Sequence, residues 1–281
     1  MNRSENKKEQ QASLRRYAME TRALTKHYGG VHALTEADFF LLEGEHAAVV
    51  GDNGAGKSTL VRNITGVEQP TSGEVFFYDG KVFFNSPMDA RKVGIETVYQ
   101  NLALADHLDV PANIFLGRED AINYLPVPFT GLRIPLGPLS WMHSEAMKKK
   151  SAALLQETGV KIPDPRKKLF SMSGGQRQCV AIARAAGWGS KLIIMDEPTA
   201  ALGIQETARV ENIIRRLKQQ GIPVIIISHN LRQVFNLVDR IWVFRRGRIV
   251  GNRLVKETDP NEIVSMITGV DRKIEESASY I

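Results

Sequence analysis

The chain alternates between short apolar runs and longer segments in which apolar residues recur every three or four positions. The runs at residues 45–50, 191–195 and 224–227 are rich in Val, Ile and Ala, as is typical of strands buried in a parallel sheet. Residues 204–220 instead repeat apolar side chains at helical spacing. Because such strands and helices alternate along the chain, the pattern predicts an α/β fold with a parallel core sheet.

The same pattern predicts the bounds of the individual elements. The predicted strands cover residues 17–25, 35–42, 45–50, 74–78, 81–84, 95–99, 191–195, 224–227, 241–244 and 248–250. The predicted helices cover residues 87–92, 110–116, 140–158, 173–186, 204–220, 231–238 and 260–268, besides one that begins near residue 57. Asp79-Gly80, between two short strands, is a hairpin signal.

A proline-rich stretch at residues 118–139 interrupts this regular pattern. It contains Pro126, Pro128, Pro135 and Pro138 among Leu, Ile, Val and Phe residues. Proline lacks a backbone N–H and clashes with the preceding turn of a helix, so this stretch cannot form a regular helix.

Length and charge change this picture little. The 281 residues include 37 Lys and Arg against 31 Asp and Glu, and the resulting net charge of +6 is spread out, so it indicates no particular partner. The single cysteine, Cys179, excludes an intrachain disulfide and suits a reducing cytoplasm. No run of about 18 apolar residues occurs, so the sequence predicts no membrane span.

The two ends of the chain differ in composition from the rest. Residues 1–16 are polar and charged and lack the apolar centre of a secretory signal. We predict a disordered basic tail there, with a basic helix that touches lipid as the alternative. Residues 17–270 are then predicted to form a single domain, followed by a C-terminal tail at residues 271–281.

The strongest chemical signal is the segment Gly-Asp-Asn-Gly-Ala-Gly-Lys-Ser-Thr at residues 51–59. It matches the phosphate-binding pattern G-x-x-x-x-G-K-[ST], with an apolar strand before it and a helical segment after it. Its glycines let backbone N–H groups point at a phosphate, and the positive end of the helix adds to that field. Lys57 is predicted to reach the terminal phosphates, and Ser58 to ligate Mg²⁺. The predicted phosphate-binding residues are Gly51, Asp52, Asn53, Gly54, Ala55, Gly56, Lys57, Ser58 and Thr59.

Two carboxylates, Asp196 and Glu197, follow the apolar run at residues 192–195. Alone, such an ending is more often a solvated strand end than a site. Together with a phosphate-binding loop, Asp196 is predicted to hold Mg²⁺ and Glu197 to polarise the attacking water.

A second glycine-rich segment, Ser173-Gly174-Gly175-Gln176, opens a predicted helix. A hydroxyl and glycines at a helix start can form an anion-binding nest, and the serine also caps the helix. One nucleotide site with its own phosphate loop has no obvious use for a second nest. A second nest has a use if the nest of one subunit faces the phosphate loop of another subunit.

These motifs resemble those of the ATP-binding subunits of ABC transporters. Residues 51–58 match the Walker A motif, residues 194–197 match Walker B, and residues 172–176 match the family signature with Met in place of the usual first Leu. The matching Q-loop, switch, adenine-stacking and D-loop residues are Gln100, His229, Tyr28 and Ala200-Ala201-Leu202. The motifs follow in the family's order over about residues 19–270, nearly the whole chain.

The resemblance implies a fold and a role for each matching residue. The implied fold is a P-loop nucleotide-binding core with a mostly parallel sheet, a small antiparallel β subdomain and an inserted helical subdomain at about residues 101–172. Gln100, Glu197 and His229 are the implied catalytic residues. The implied Mg²⁺ ligands are Ser58, Gln100 and Asp196. Beyond the phosphate loop, the implied ATP contacts are Tyr28, Ser173, Gly174, Gly175 and Gln176.

Further residues look like the sugar-importer branch of the family, of ribose, xylose or fructose type. They are Asn53 and the segments at residues 113–118 and 197–203. The chain carries one cassette, as the shorter fructose-type subunits do. One departure is Gly203, where much of the wider family has Asp, so the intersubunit contact of that side chain is absent.

The implied function is ATP hydrolysis that powers the import of a sugar. Two copies would enclose two ATP molecules and dock on a membrane permease at the cytoplasmic face of the cell membrane. A solute-binding protein would deliver the sugar, and no nucleic-acid partner is expected. Residues 118–139 follow the Q-loop, where the family meets its membrane partner. They are either a surface loop of no consequence or a segment that influences coupling to the permease.

Two other functions are compatible with an ABC-type cassette. One is a soluble ATPase that acts on DNA or the ribosome, but the segment at residues 101–172 is too short and proline-interrupted for the long coiled coil of the repair proteins. Translation-associated members usually carry two cassettes in a chain. The other is a regulatory subunit that binds ATP without hydrolysis, and the presence of Lys57, Asp196, Glu197 and His229 argues against it.

Overall fold

The computed structural model describes residues 16–119 and 144–270, and the backbone of four short strands between these ranges. Apart from Arg16, both predicted tails lie outside the described residues, as do parts of the proline-rich stretch. In the described part of the chain, no helix has the length and apolar character needed to cross a bilayer.

Strands and helices follow one another much as the pattern predicts. The strands are β1 (Tyr17–Tyr28), β2 (Val31–Leu42), β3 (His46–Gly51), β4 (Ser72–Phe77), β5 (Gly80–Val82), β6 (Ile95–Val98), β7 (Ala121–Ile122), β8 (Tyr124–Pro126), β9 (Arg133–Pro135), β10 (Trp141–Met142), β11 (Leu192–Asp196), β12 (Val224–Ile227), β13 (Arg240–Arg245) and β14 (Arg248–Leu254). The helices are α1 (Lys57–Ile64), α2 (Pro87–Val93), α3 (Val110–Phe115), α4 (Ser144–Thr158), α5 (Gly174–Ala186), α6 (Ile204–Gln219), α7 (Leu231–Leu237) and α8 (Pro260–Thr268).

Four predicted bounds are wrong by more than two residues, among them the end of β14, which lies at Leu254 and not at residue 250. Strands β1 and β2 are longer than predicted because their antiparallel pairing continues to the turn at Gly29-Gly30. The helix predicted from residue 140 begins at Ser144, since Trp141 pairs with Ile122 of β7 and so belongs to a strand. In the proline-rich stretch, the described residues form short strands, which agrees with the exclusion of a regular helix.

The chain divides into two compact units. The first contains the residues up to Gln100, Gly189–Ala200 and the residues from Ile214 onward. The second contains Asn101–Trp188 and Ala201–Ile213. The domain bounds and the helical subdomain of the sequence analysis stay predictions.

Two sheets form the framework of the first unit. The larger has the strand order β14-β13-β3-β12-β11-β6, in which β13 to β6 are parallel neighbours and β14 is antiparallel. The smaller has the order β2-β1-β4-β5 and is antiparallel throughout. The predicted parallel core and antiparallel β subdomain are therefore confirmed.

A continuous apolar core fixes the strand that leads into the phosphate loop. Val49 of β3 and Ile194 of β11 are fully buried, and they belong to the same core as Phe39 and Leu41 of β2 and Phe244 of β13. Both sheets of the first unit contribute to this core, and residues 46–50 of β3 are all buried, so both faces of the strand are covered.

The strand order decides where the polar motifs lie. Strand β12 separates β3 from β11, and β6 lies next to β11. In a parallel sheet, the carboxyl ends of neighbouring strands meet at one edge, where ligands bind. The phosphate loop after β3, His229 after β12, Glu197 after β11 and Gln100 after β6 therefore share this edge.

The second unit is built on helices α3, α4 and α5, which pack against one another. Met147 and Leu155 are buried on α4, and most of α5 is buried. Arg184 of α5 donates hydrogen bonds to the carbonyls of Leu102 and Ala103, at 2.9 and 2.8 Å. This packing fixes helix α5, whose amino-terminal end carries the second glycine-rich segment.

His46 at the start of β3 is completely buried and neutral. Its Nε2 donates to the carbonyl of Ile222 at 3.1 Å, whereas its Nδ1 has no hydrogen-bond partner in the described part of the chain. Burial, followed by the nearby charge of Lys218, lowers the pKa of His46 from 6.5 to about 4. The folded protein therefore resists protonation at this site.

We expect the free energy of unfolding to decrease as the pH falls from about 6.5 to 4. In this window the unfolded chain binds a proton at His46 and the folded chain does not, so acid favours unfolding. A difference of about 2.5 pKa units corresponds to roughly 3 kcal/mol, which is fully present above pH 6.5 and lost by pH 4. Urea unfolding at several pH values measures this loss. The control is His46→Gln, which keeps a donor for Ile222; an equally steep loss in that variant would contradict the assignment.

Candidate functional site

The phosphate loop has a backbone that requires glycine at two positions. Gly51 has φ +150°, and a Cβ there would lie 2.2 Å from the carbonyl oxygen of Phe244. Gly56 has φ +105°, and a Cβ would lie 2.8 Å from the carbonyl oxygen of Ala33. Neighbouring backbone therefore requires glycine at these two positions of the loop.

Lys57, the first residue of α1, folds back over the loop. Its Nζ donates to the carbonyls of Gly51 at 2.7 Å and Asp52 at 2.8 Å. Burial lowers the pKa of Lys57, and the negative charges of Glu197, Asp52 and Asp196 oppose that shift. The N-cap of α1 is Gly56, whose lack of a side chain leaves the first helical N–H groups to a ligand. A cation and uncapped donors thus lie at the same helix end.

The carboxylates after β11 occupy different environments. Burial, and then the charge of Glu197, raises the pKa of Asp196, while Lys57 and Arg62 act in the opposite direction. Two carboxylates and one ammonium group therefore interact at this edge of the sheet. An incoming cation would relieve the repulsion between Asp196 and Glu197.

Glu197 is held in place by His229 and by a strained backbone. The Nδ1 atom of His229 lies 2.7 Å from Oε1 of Glu197, and the backbone N–H of His229 donates to the same oxygen at 3.1 Å. The backbone of Glu197 has φ +49°, a conformation that costs about 1–3 kcal/mol for a residue other than glycine and clusters at functional sites. The Glu197 side chain is 17% exposed and that of His229 is 77% exposed, so the histidine approaches from the solvent side.

These residues surround one cavity of about 600 Å³ in the first unit. Of the predicted site residues, those that line it are Asn53, Gly54, Ala55, Gly56, Lys57, Ser58, Thr59, Gln100, Asp196, Glu197 and His229. The remaining lining residues are Val31, His32, Ala33, Ile227, Arg246 and Gly247. The volume is within the range of small-molecule and cofactor sites.

Sequence reasoning missed two basic residues of this cavity, His32 and Arg246. Arg246 lies with Gly247 in the turn between β13 and β14, and Gly247 donates to the carbonyl of Ala55 in the phosphate loop at 3.0 Å. The Arg-Gly turn itself was visible in the sequence. Nothing in the sequence indicated that β13 is a direct neighbour of β3.

Tyr28, the predicted adenine-stacking residue, lies at the end of β1. Its hydroxyl donates to Glu68, which also pairs with Arg62 at 3.3 Å, and Nζ of Lys26 lies 5.2 Å from its ring centroid. Tyr28 is 41% exposed and is not among the described residues that line the cavity. Its stacking role stays a prediction.

The second glycine-rich segment belongs to the second unit. Ser173 caps α5: its Oγ accepts from the N–H of Gln176 at 3.3 Å, and Oε1 of Gln176 accepts from the N–H of Ser173 at 3.0 Å. The Ser173 hydroxyl donates its own proton to Oε1 of Glu206 at 2.7 Å. The predicted serine cap of this helix is therefore confirmed, whereas anion binding by residues 173–176 stays a prediction.

The cavity has the composition that a magnesium–nucleotide complex requires. Ser58, Gln100 and Asp196 offer oxygen ligands on its wall, whereas residues 16–119 and 144–270 contain no cluster of three or more His, Cys, Asp or Glu side chains that could hold a metal alone. Mg²⁺ usually binds through one or two protein oxygens together with substrate phosphates. The site therefore fits Mg²⁺ that arrives with a nucleotide.

We expect Lys57→Ala to weaken ATP binding by about 10- to 150-fold. The substitution removes a charge-assisted contact to phosphate worth about 1.5–3 kcal/mol where solvent is excluded. Binding of a fluorescent ATP analogue measures the change. Lys256→Ala, which removes an exposed lysine of the same unit outside the loop, serves as the control. Wild-type affinity in Lys57→Ala would exclude a phosphate contact.

Comparisons with known proteins agree with this geometry. A family model described as ABC transporter matches residues 34–200. The fructose import ATP-binding protein FrcA of Rhizobium meliloti is 44% identical over 252 residues, which cover 88% of this chain and 92% of that protein. The xylose/arabinose import ATP-binding protein XylG of Sulfolobus acidocaldarius is 42% identical over 250 residues, which cover 89% and 93% of the two chains.

A solved structure extends the similarity to the fold. The crystal structure of the ADP conformation of MJ1267, an ATP-binding cassette of an ABC transporter, matches this chain with a TM-score of 0.72. The two sequences are 26% identical, and the match covers 94% of this chain and 99% of the other.

Proposed function

The chain belongs to the ABC transporter family, and we propose that it is the ATP-hydrolysing subunit of a transporter that imports a sugar. The observation that carries the proposal is the convergence of Lys57, Asp196, Glu197 and His229 on one cavity. The sugar comes from the relatives, two of which are named for the import of fructose and of xylose or arabinose. The alternative of a soluble ATPase acting on DNA or the ribosome is not favoured by these relatives.

In the proposed mechanism, the loop residues bind and orient the phosphates of ATP. Backbone N–H groups at the start of α1 contact the phosphate oxygens, and Lys57 exchanges its carbonyl partners for the terminal phosphates. Ser58, Gln100 and Asp196 would hold Mg²⁺, which neutralises phosphate charge when bound. Tyr28 is proposed to stack on adenine.

Glu197 acts as the general base. It accepts a proton from water as the water oxygen attacks the γ-phosphorus, and the bond from that phosphorus to the bridging oxygen breaks to release ADP. The two N–H groups of His229 fix the carboxylate of Glu197. His229 therefore positions the base, and we propose that it also senses the γ-phosphate because it is exposed on the cavity wall.

The complete site is proposed to contain two copies of the chain. Residues 173–176 of one copy would bind the γ-phosphate held by the phosphate loop of the other. The support is a formed nest of donors at Ser173 in a unit that does not contain the phosphate loop. Gly203 brings no side chain to this contact, so the hydroxyl and N–H groups of the nest carry it.

The proposed partners are a membrane permease and, indirectly, a solute-binding protein, which places the chain at the cytoplasmic face of the membrane. To test this, tagged chain is purified from detergent-solubilised membranes, and the recovered proteins are identified by mass spectrometry. We expect a permease to be recovered, and the reconstituted complex to hydrolyse ATP faster when solute-binding protein and fructose, xylose or ribose are added. Recovery with ribosomes or DNA, and no permease, would overturn the proposal.

A further inference from the structure

Glu206, in the first turn of α6, makes contacts beyond those of an ordinary helix start. Its Oε2 accepts from the N–H of Gly203 at 3.4 Å, as an acidic residue in a first helical turn commonly does. Its Oε1 accepts from the hydroxyl of Ser173, 33 positions earlier in the chain, at 2.7 Å. Capping of α6 explains the first contact and leaves the second unexplained.

The second glycine-rich segment, residues 173–176, packs closely against this carboxylate. The backbone N–H of Gly175 is also near enough to Glu206 to help lower the pKa of that carboxyl group. A Cβ at Gly175 would lie 2.6, 2.7 and 2.8 Å from Cβ, Cγ and Cδ of Glu206, so only glycine leaves room for the side chain. The Ser173 hydroxyl and the N–H of Gly203 therefore donate to one anionic group, which packs directly against Gly175.

The carboxylate is ionised in this environment. Hydrogen bonds from Ser173 and then from Gly203 lower the pKa of Glu206, and the positive charge of Arg209 acts in the same direction. A charged acceptor binds these donors more strongly than a neutral one would.

We propose that the Glu206 carboxylate is an internal ligand of the nest at residues 173–176. The γ-phosphate of the ATP bound to the other copy must displace this carboxylate. This inference rests on the proposed two-copy site. The Ser173 hydroxyl has one proton and donates to one acceptor at a time, so it cannot serve Glu206 and a phosphate together. The two anions would also repel each other at such a distance. Glu206 therefore sets the ATP concentration at which two copies close.

The test uses Glu206→Gln in a chain that also carries Glu197→Gln to prevent hydrolysis. Gln can replace Glu in the capping contact to Gly203, so the start of α6 is retained while the charge is lost. Replacing a charge-assisted hydrogen bond with a neutral one is expected to lower the ATP concentration for half-maximal dimer formation by about 10-fold. Light scattering during an ATP titration measures dimer formation, and ATP affinity of the dilute monomer should not change.

Two further variants complete the experiment. Glu157→Gln makes the same change of net charge at an exposed position of α4, and it should leave the titration unchanged. Glu206→Ala removes the side chain altogether and should shift the titration at least as far as Glu206→Gln. Thermal unfolding shows whether each variant is folded; if the Gln variant is not, the Ala variant decides.

The possible results separate this inference from the proposed function. One result is that Glu197→Gln dimerises with ATP, but both Glu206 variants need as much ATP as it does, or more. Glu206 would then support Ser173 and not compete with phosphate. This result overturns the inference and leaves the proposed function intact. If Glu197→Gln forms no dimer at any ATP concentration, the two-copy site fails and the inference with it.

Discussion

Replacing Glu197 with Gln is expected to slow ATP hydrolysis by about 10²–10⁴-fold, or roughly 3–5 kcal/mol of barrier. The amide keeps the size of the side chain and an oxygen for the N–H groups of His229, but it cannot take a proton from water. The strained backbone at residue 197 keeps the side chain on the cavity wall in either case. The substitution should therefore reduce the rate of the chemical step of hydrolysis.

ATP binding should survive this substitution. Lys57, Ser58 and the loop backbone remain. The substitution also removes the negative charge of Glu197, which, after burial, raises the pKa of Asp196. Loss of the Glu197 charge therefore favours the ionised form of Asp196, the form that can bind Mg²⁺. With binding intact and hydrolysis blocked, Glu197→Gln should accumulate as an ATP-bound dimer.

Phosphate release and size exclusion with ATP and Mg²⁺ measure the two effects. Asp196→Asn is the informative comparison, since it should weaken Mg²⁺ binding itself and give neither turnover nor a stable dimer. Glu197→Gln with wild-type turnover would remove Glu197 from the mechanism. An inactive variant that stays monomeric would count against closure of the isolated subunit.

Ser173→Arg is expected to reduce ATP hydrolysis by at least about 10²-fold, the usual loss when a donor to a reacting oxyanion is removed. The substitution removes the hydroxyl that is proposed to contact phosphate, and it puts a bulky cation where the phosphate loop of the other copy would approach. The phosphate loop lies in the other unit, so ATP affinity of the monomer should be unchanged. Ser144→Arg, the same substitution at an exposed position of α4, should hydrolyse ATP normally.

A mixing experiment tests whether the site is shared between copies. In a heterodimer of Ser173→Arg with Lys57→Ala, one of the two sites combines an intact phosphate loop with an intact nest. Each heterodimer is expected to have at most half of the wild-type activity, so an equal mixture with random pairing should reach about a quarter of it, well above either variant alone. Full activity of Ser173→Arg by itself would show that each copy works alone.

The sequence by itself determined most elements and the identity of the polar motifs. Apolar runs such as Val224–Ile227 are buried wherever they pack, and the glycine-rich segments at residues 51–59 and 173–176 can be identified from their residue types and spacing alone. These signals are local, because helix caps, turns and buried strands depend on residues a few positions apart. The main error, at Trp141, arose where pairing with a distant strand overrode the helical pattern.

Only the tertiary structure decided which motifs meet. The order of β3, β12 and β11 brings Glu197 into contact with His229, and the pairing of β13 with β3 adds Arg246 to the same cavity. The contact of Ser173 with Glu206 likewise joins residues on different helices. Strand order and helix packing depend on long-range burial of apolar surface, which no short stretch of sequence specifies. The residue types of the site were therefore present in the sequence, whereas their partners were fixed by the fold.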